Sequence, residues 1–345
     1  MNRRPCALPS WLLSGLLAWG GCAAAQAQAV SPVAALSVTE VSPGVFVHIG
    51  AVEDWTPAHE GDVANIGFVV GKRCVAVIDS GGTPRVGQAL RAAVERTAKL
   101  PVCYVINTHA HPDHVLGNDA FAETGRSAPQ FVASARFNSA LAAREPFYRN
   151  ALRRDFGIEL AQAAIIYPSI SVSQSLDLDL GDRVLTLQAW PTAHTDNDLT
   201  VYDRPTRTLF TSDLLFVQHL PVLDGSLRGW IGAMAELRRL DVATVVPGHG
   251  SVSNDWPAVM DAQAQYLSGL LRDTRAAIKA LLTIQQAVER IDAAPARHWR
   301  LTERFHRRNV TAAYAELEWE DEPSGTPAAP SSAASAALAA RPHGI

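Results

Sequence analysis

Thr108-His109-Ala110-His111-Pro112-Asp113-His114 packs four potential metal ligands into six residues, directly after the apolar, strand-like run Val102-Cys103-Tyr104-Val105-Ile106-Asn107. In an extended backbone alternate side chains point the same way, so His109, His111 and Asp113 are expected on one side and His114 toward a neighbouring point. One loop can then serve two metals. Pro112 lacks an N–H and fixes its own φ, which ends the strand ladder where the side chains must splay around an ion. The chain has 11 histidines in 345 residues, and chance would set three of them and an Asp in this frame roughly once in a thousand trials. Metal binding is the reading.

Outward from this loop, 48% hydrophobic and 19% charged residues make an ordinary globular composition with enough apolar material for a substantial core. The net charge is −4, and Lys and Arg are scattered rather than gathered on one stripe. This argues against a nucleic-acid partner and for a small-molecule one. Residues 1–29 read as a targeting signal: Arg3 and Arg4 start it, 11–19 form an apolar core, and Ala25-Gln26-Ala27 or Ala27-Gln28-Ala29 offers a cleavage site. That core is too short to remain as a membrane span. Trp19-Gly20-Gly21 before Cys22 is a poor lipid-attachment sequence, so soluble release into the periplasm is expected ahead of a lipoprotein. Cys74 and Cys103 remain after cleavage. Aligned neighbouring strands place them side by side, where they are expected as two buried thiols, with a disulfide as the alternative in an oxidising compartment.

Short apolar runs at 45–49, 66–70 and 74–78 predict strands, followed by a helix over 85–98 and the strand into the histidine loop. Asp79-Ser80-Gly81-Gly82 ends its strand where α/β folds place sites. A strand at 131–133 and a helix over 135–156, broken at Pro146, complete the first half. The second half gives strands at 176–180, 183–190, 198–202, 208–211 and 244–246, a helix over 227–240, and outer helices over 257–282 and 285–318. Two halves of sheet plus helix imply two sheets packed face to face with helices outside, an α/β fold in αββα layers. A single domain is expected over 36–320. The Pro-, Ala- and Ser-rich stretch 321–345 reads as a disordered tail.

Three further residues have ligand chemistry directly after predicted strands: His194 in Pro191-Thr192-Ala193-His194-Thr195-Asp196, Asp213 in Phe210-Thr211-Ser212-Asp213, and His249 in Pro247-Gly248-His249-Gly250. With these, the chain resembles the metallo-β-lactamase superfamily, whose hallmark is a His-x-His-x-Asp-His loop followed by a His, an Asp and a His. The likeness covers roughly 41–282. It implies the αββα sandwich, one metal on His109, His111 and His194, another on Asp113, His114 and His249, and Asp213 between them. More narrowly, Gly61-Asp62-Val63-Ala64-Asn65-Ile66-Gly67-Phe68 and Asp224-Gly225-Ser226-Leu227-Arg228-Gly229-Trp230 resemble the exported quinoprotein relay system zinc metallohydrolases, relatives of sulfur-oxidation accessory hydrolases and glyoxalase II. That branch is associated with periplasmic pyrroloquinoline-quinone dehydrogenase systems, which implies hydrolysis of a small molecule and a quinoprotein dehydrogenase system as partner.

Imidazole and carboxylate ligands suit two Zn²⁺, with iron or manganese as alternatives. Two such ions about 3.5–4 Å apart hold a shared water and lower its pKa from about 15.7 toward 7. Asp113 is the expected catalytic residue, orienting that water and receiving its proton. Asp79 is expected behind the ligands, bonding a histidine or the loop backbone. His219 and Arg228 are candidates for substrate contact, and Asp62 and Asn65 for the site mouth; His48, His298, His306 and His343 are left as structural or exposed. The leading function is hydrolysis of an ester or thioester. Competing readings are a β-lactamase, disfavoured because lactam-opening relatives usually carry Cys or Ser where Asp213 stands; a mononuclear iron persulfide dioxygenase; and a non-catalytic cofactor-binding protein.

Overall fold

The computed structural model describes residues 33–122 and 128–320; the expected targeting signal, its cleavage sites and the 321–345 tail lie outside them. In chain order the elements are β1 (Thr39–Ser42), β2 (Val45–His48), β3 (Ile66–Val70), β4 (Val75–Ile78), α1 (Pro84–Thr97), β5 (Val102–Ile106), α2 (Pro112–Val115), β6 (Gln130–Ser134), α3 (Phe137–Ala151) and β7 (Ile170–Val172). There follow β8 (Ser175–Asp179), β9 (Val184–Ala189), β10 (Leu199–Asp203), β11 (Thr208–Phe216), α4 (Leu227–Leu237), β12 (Thr244–His249), α5 (Asp261–Lys279), α6 (Ile284–Arg290) and α7 (Thr302–Leu317). The first sheet has the order β1-β2-β3-β4-β5-β6-β7, the second β12-β11-β10-β9-β8. Pairing is parallel from β4 to β7 and between β11 and β12, and antiparallel elsewhere.

Strand β4 shows why the layers form. All four of its residues are buried, and they alternate between two apolar layers: Ala76 and Ile78 face Leu185, Leu187, Val201 and Phe210 of the second sheet, whereas Val75 and Val77 lie with Leu90 and Val94 of α1. A strand covered on both faces needs an unbroken apolar run, and a period of two divides it between them. On the far side of the second sheet, Leu209 and Val245 meet Trp230 and Met234 of α4, Leu267 of α5 and Val310 of α7. Burying each such side chain contributes roughly 1.5–3 kcal/mol. The order helix, sheet, sheet, helix is the expected αββα sandwich.

Several expectations need correction. Pro146 lies inside α3 without ending it, because Phe137, Leu141 and Tyr148 bury one face of that helix and hold it together across the missing N–H. The helix expected over 285–318 is two, α6 and α7, separated by a short turn around Pro295. Strands β1 and β7 were not anticipated, being short and only partly buried edges. Cys74 and Cys103 are not two thiols: they form a disulfide, with Cα atoms 5.7 Å apart, joining the start of β4 to β5. Among the described residues no helix is long and apolar enough to cross a membrane.

Candidate metal centre

The parallel strands β4 and β5 end side by side in one sheet; in the other, β11 carries Asp213, β12 ends at His249 and the loop from β9 to β10 carries His194, so these segments converge at one end of the sandwich. His109, His111, His194 and Asp213 offer ligand atoms that all lie within 4.8 Å of one another, and Asp113, His114 and His249 form a second such set. All seven expected ligands are thus brought together. The alternation expected for the first loop is corrected in one respect: Asp113 sits with His114, not with His109 and His111. The cause is Pro112, which starts the one-turn helix α2 with His111 as its N-cap residue, so strand periodicity stops before Asp113.

The loop is clamped from several sides. Tyr148 Oη donates to Ala110 O at 2.9 Å, and Ala110 N donates to Asn197 Oδ1 at 2.9 Å. Behind it, the buried amides of Asn107 and Asn118 bond each other reciprocally at 3.1 and 2.8 Å. Asp79, at the end of β4 with φ of 56°, accepts from Thr108 N at 2.8 Å, Thr108 Oγ1 at 2.7 Å and His114 Nδ1 at 2.8 Å. It therefore does both things expected of it, bonding a ligand histidine and the loop backbone. Strand β11 extends past its expected end, and its pairing with β12 slips on either side of Ser212, whose φ is 47°. That irregularity turns Asp213 toward the histidines. Opposite it, a Cβ on Gly248 would lie 1.9 Å from Asp213 Oδ1; glycine leaves the space that the carboxylate fills.

Each ring is oriented by a bond on the side away from the centre. His194 Nδ1 donates to Val222 O at 2.7 Å and His249 Nδ1 to Val63 O at 2.9 Å. A carbonyl can only accept, so these bonds fix the tautomer and leave both Nε2 lone pairs facing inward. His111 is reversed: its Nε2 meets Asp224 Oδ2 at 2.9 Å, and its Nδ1 lies 3.1 Å from His194 Nε2. Burial, reinforced by neighbouring histidines, holds His109 well below the usual imidazole range, and burial pushes His194 down to about 3. Both imidazoles are thereby kept neutral, the form in which a ring nitrogen can bind a metal. Burial alone would raise the Asp213 carboxyl, but His249, His114 and His109 outweigh it and hold it well below the usual carboxylate range.

The donor set fits metal ions. His109 Nε2, His114 Nε2 and Asp213 Oδ1 are buried with no hydrogen-bond partner among the described residues, although His114 Nε2 and Asp213 Oδ1 are 3.2 Å apart. Groups that approach so closely without aligning as donor and acceptor are aimed at a common point, and unpaired they would each carry a desolvation penalty of about 1–3 kcal/mol.

A sequence profile described as the metallo-beta-lactamase superfamily matches residues 59–249, a span that includes every one of these ligands. The chain belongs to that superfamily. Among solved structures, a metallo-beta-lactamase from Pontibacter korlensis is 21% identical, with a TM-score of 0.54 over 68% of this chain and 99% of its own. A metallo-beta-lactamase from Hirschia baltica is 17% identical, with a TM-score of 0.52 over 68% of this chain and 98% of its own. A stereoselective inverting sec-alkylsulfatase from Pseudomonas sp. is 14% identical, with a TM-score of 0.61 over 83% of this chain and 50% of its own. These neighbours share the fold. Superfamily membership and the His/Asp cluster together indicate a metal-dependent hydrolase.

In this member of the superfamily a cleft of about 470 Å³ opens above the ligands, lined among others by His219, Asp224, Arg144 and Arg308. His219, a sequence candidate, is there; its Nδ1 donates to Leu220 O at 2.7 Å, and burial, aided by His249, lowers it to about 4. Arg228 is not. It sits in the first turn of α4, over half exposed, paired with Glu320 at 3.2 Å, because Ser226 and Glu316 cap that helix and turn its start toward α7. Asn65 and Asp62 also miss the mouth: Asn65 Nδ2 donates to Pro247 O and Gly250 O, bracing the His249 loop, and Asp62 accepts from His48. Asp224, Arg144, Arg308, Asn197 and the Asn107–Asn118 pair were missed. For Asp224 the only sequence signal was its place at the head of Asp224-Gly225-Ser226-Leu227-Arg228-Gly229-Trp230.

Proposed function

We propose that this protein is an exported dinuclear zinc hydrolase that cleaves an ester, thioester or related bond in a small molecule. The observation that carries the reading is the seat of Asp213, whose carboxylate oxygens lie 3.2–3.7 Å from His109, His114, His194 and His249, members of both ligand sets. A carboxylate shared in this way suits two ions side by side, and nitrogen and oxygen donors suit Zn²⁺, with iron and manganese as the alternatives. Zinc held there would act as a Lewis acid on a carbonyl oxygen and make water acidic enough to attack near neutral pH.

The chain's own residues supply the rest. The histidines keep fixed lone pairs toward the centre, and Asp113, which lines the cleft, orients the attacking water and takes its proton on a carboxylate oxygen. Phe216, stacked on His249 with ring centroids 5.1 Å apart, and Trp230, 5.3 Å from His194, wall the site against bulk water. An ester or thioester is placed ahead of a lactam because Asp213 stands where lactam-opening relatives usually carry Cys or Ser. Export is supported by Arg3, Arg4, the apolar core and the Ala-x-Ala sites. A link to a periplasmic quinoprotein dehydrogenase system is supported by the likeness of the two segments that begin at Gly61 and Asp224.

Elemental analysis of the purified mature protein, with side-by-side kinetics on thioesters, aryl esters and lactams, tests the proposal. Two zincs per chain and faster thioester or ester turnover are expected, with both lost in Asp213→Ala. A single iron would move the protein to the oxygenase reading, and a penicillin or carbapenem with the higher kcat/KM would replace ester hydrolysis with lactam opening. Mass spectrometry should find a mature N-terminus at Gln28 or Val30; an intact Met1 or a lipid on Cys22 would refute soluble export.

A further inference from the structure

Asp224 stands at the lip of the cleft between the metal-facing His111 and two cations. Its Oδ2 lies 2.9 Å from His111 Nε2 and 2.7 Å from a terminal nitrogen of Arg144, and its Oδ1 lies 3.3 Å from one of Arg308. The other charged pairs around the cleft are matched one to one: Arg154 with Asp155 at 2.6 Å and Arg304 with Asp54 at 2.8 Å. At Asp224 a single carboxylate serves two guanidiniums. Asp196 also acts on Arg144 through space, so what distinguishes this corner is that two guanidiniums, with fractional exposures of 30% for Arg144 and 53% for Arg308, share one hydrogen-bonded carboxylate.

Each of these arginines gives one hydrogen bond to Asp224 among the described residues, and a guanidinium has five N–H donors in a planar fork suited to a carboxylate, sulfate or phosphate. The two come from opposite walls, Arg144 from α3 and Arg308 from α7, so a group between them is held from both sides. We infer that Arg144 and Arg308 form an anion-binding subsite tied to the metal face through Asp224, so that the molecule cleaved at the centre carries a carboxylate or comparable anion on the side of His111. The substrate class is then an anionic ester or thioester. Phe147 of α3, 64% exposed and lining the same cleft, supplies an apolar surface for the chain that joins the anion to the scissile bond. This inference rests on the hydrolase reading above for the reaction, but not for the binding.

The test uses the metal-loaded protein with two esters of equal acyl length, the mono-4-nitrophenyl ester of glutarate and 4-nitrophenyl valerate. The wild type should prefer the anionic ester by about tenfold or more in kcat/KM, and Arg308→Gln should reduce that preference about tenfold, the change expected from one lost charge-assisted hydrogen bond. Arg144→Gln should act in the same direction, and Arg308→Lys, which keeps the charge but not the fork, should retain part of the preference. Calorimetric titration with glutaramate, which has one carboxylate and no ester, reads the subsite without turnover; Arg308→Gln should raise its Kd about tenfold. Equal kcat/KM for the two esters in the wild type, or a preference and a glutaramate Kd that Arg308→Gln leaves unchanged, overturns the subsite while leaving hydrolysis standing. Glutaramate binding that depends on Arg308 in a protein that turns over neither ester supports the subsite and removes the hydrolase reading instead.

Discussion

The buried side of the metal centre and its open side are held by different means. His194 and His249 donate to the backbone carbonyls of Val222 and Val63, and His114 donates to Asp79, a carboxylate with 1% exposure. His111 alone is oriented at the lip, by Asp224, whose side chain is 25% exposed and shared with two arginines. A carbonyl acceptor is part of the fold and moves only if the fold moves. A carboxylate that is one-quarter exposed and bound to two cations is open, on the subsite inference above, to an anion that enters the cleft. The inner wall therefore sets the ligand geometry, and the lip is where substrate and metal face can influence each other.

The largest expected effect comes from breaking the inner wall at Asp79. In Asp79→Ala the Thr108 amide and His114 Nδ1 lose their acceptor together, and the Thr108 hydroxyl is left with Ser212 Oγ, in a place that water does not reach. Removing one partner of a buried, hydrogen-bonded pair typically costs about 3–5 kcal/mol. Chemical denaturation should show a loss of that order, with metal content falling too; a variant as stable as the wild type would mean that the inner wall is not what holds the loop.

Gly248→Ala attacks the same wall through space. The added methyl would lie 1.9 Å from Asp213 Oδ1 and 2.7 Å from Asp213 N, which β11 can relieve only by moving away from β12. Overpacking of this kind usually costs about 1–3 kcal/mol. Metal stoichiometry should fall more than stability does, because the displaced group is the shared carboxylate. Two retained metals at wild-type affinity would show that the space beside Gly248 is not needed.

At the lip, Asp224→Asn keeps the shape but loses the charge that orients His111. Removing such an outer partner of a ligand histidine typically weakens metal affinity about 10–100-fold. The loss should appear as weaker binding of one metal in a chelator competition, with the other unaffected and little change in denaturation midpoint. Equal weakening of both would erase the distinction between the two sides.

The ligands were legible because they follow apolar strands in one stereotyped loop and three short signatures, and His109 to His114 need no tertiary information to be recognised. Asp79 was legible because an acidic residue at a strand's C-terminal end sits where sites form. The lip was not. Arg144 and Arg308 are ordinary helix-surface residues in sequence, and what makes them notable is a carboxylate 80 and 84 residues away. The Asn107–Asn118 pair was hidden for the opposite reason, since a buried amide looks like any turn residue until its partner is in place. The division of Asp113 from His109 and His111 depended on whether Pro112 merely ends a strand or starts a helix, and only the latter explains the observed sets.

The smallest expected effect is at Arg228, and it sharpens the same comparison from outside the cleft. Its place, with His219, beside the segment after Asp213 made Arg228 a candidate for substrate contact, but the turn that starts α4 at Leu227 carries it away from the lip to an exposed pair with Glu320. Glu320 has a second cation in Arg275 at 2.6 Å, so the carboxylate stays paired without Arg228. Exposed ion pairs contribute about 0–1 kcal/mol, and a shared one should lie at the low end. Arg228→Ala should therefore leave the denaturation midpoint, the metal content and the ratio of anionic to neutral ester turnover within experimental error. A fall in that ratio comparable with the one expected for Arg308→Gln would place the anion contact on α4 rather than between α3 and α7, and would move the substrate to the other side of Asp224.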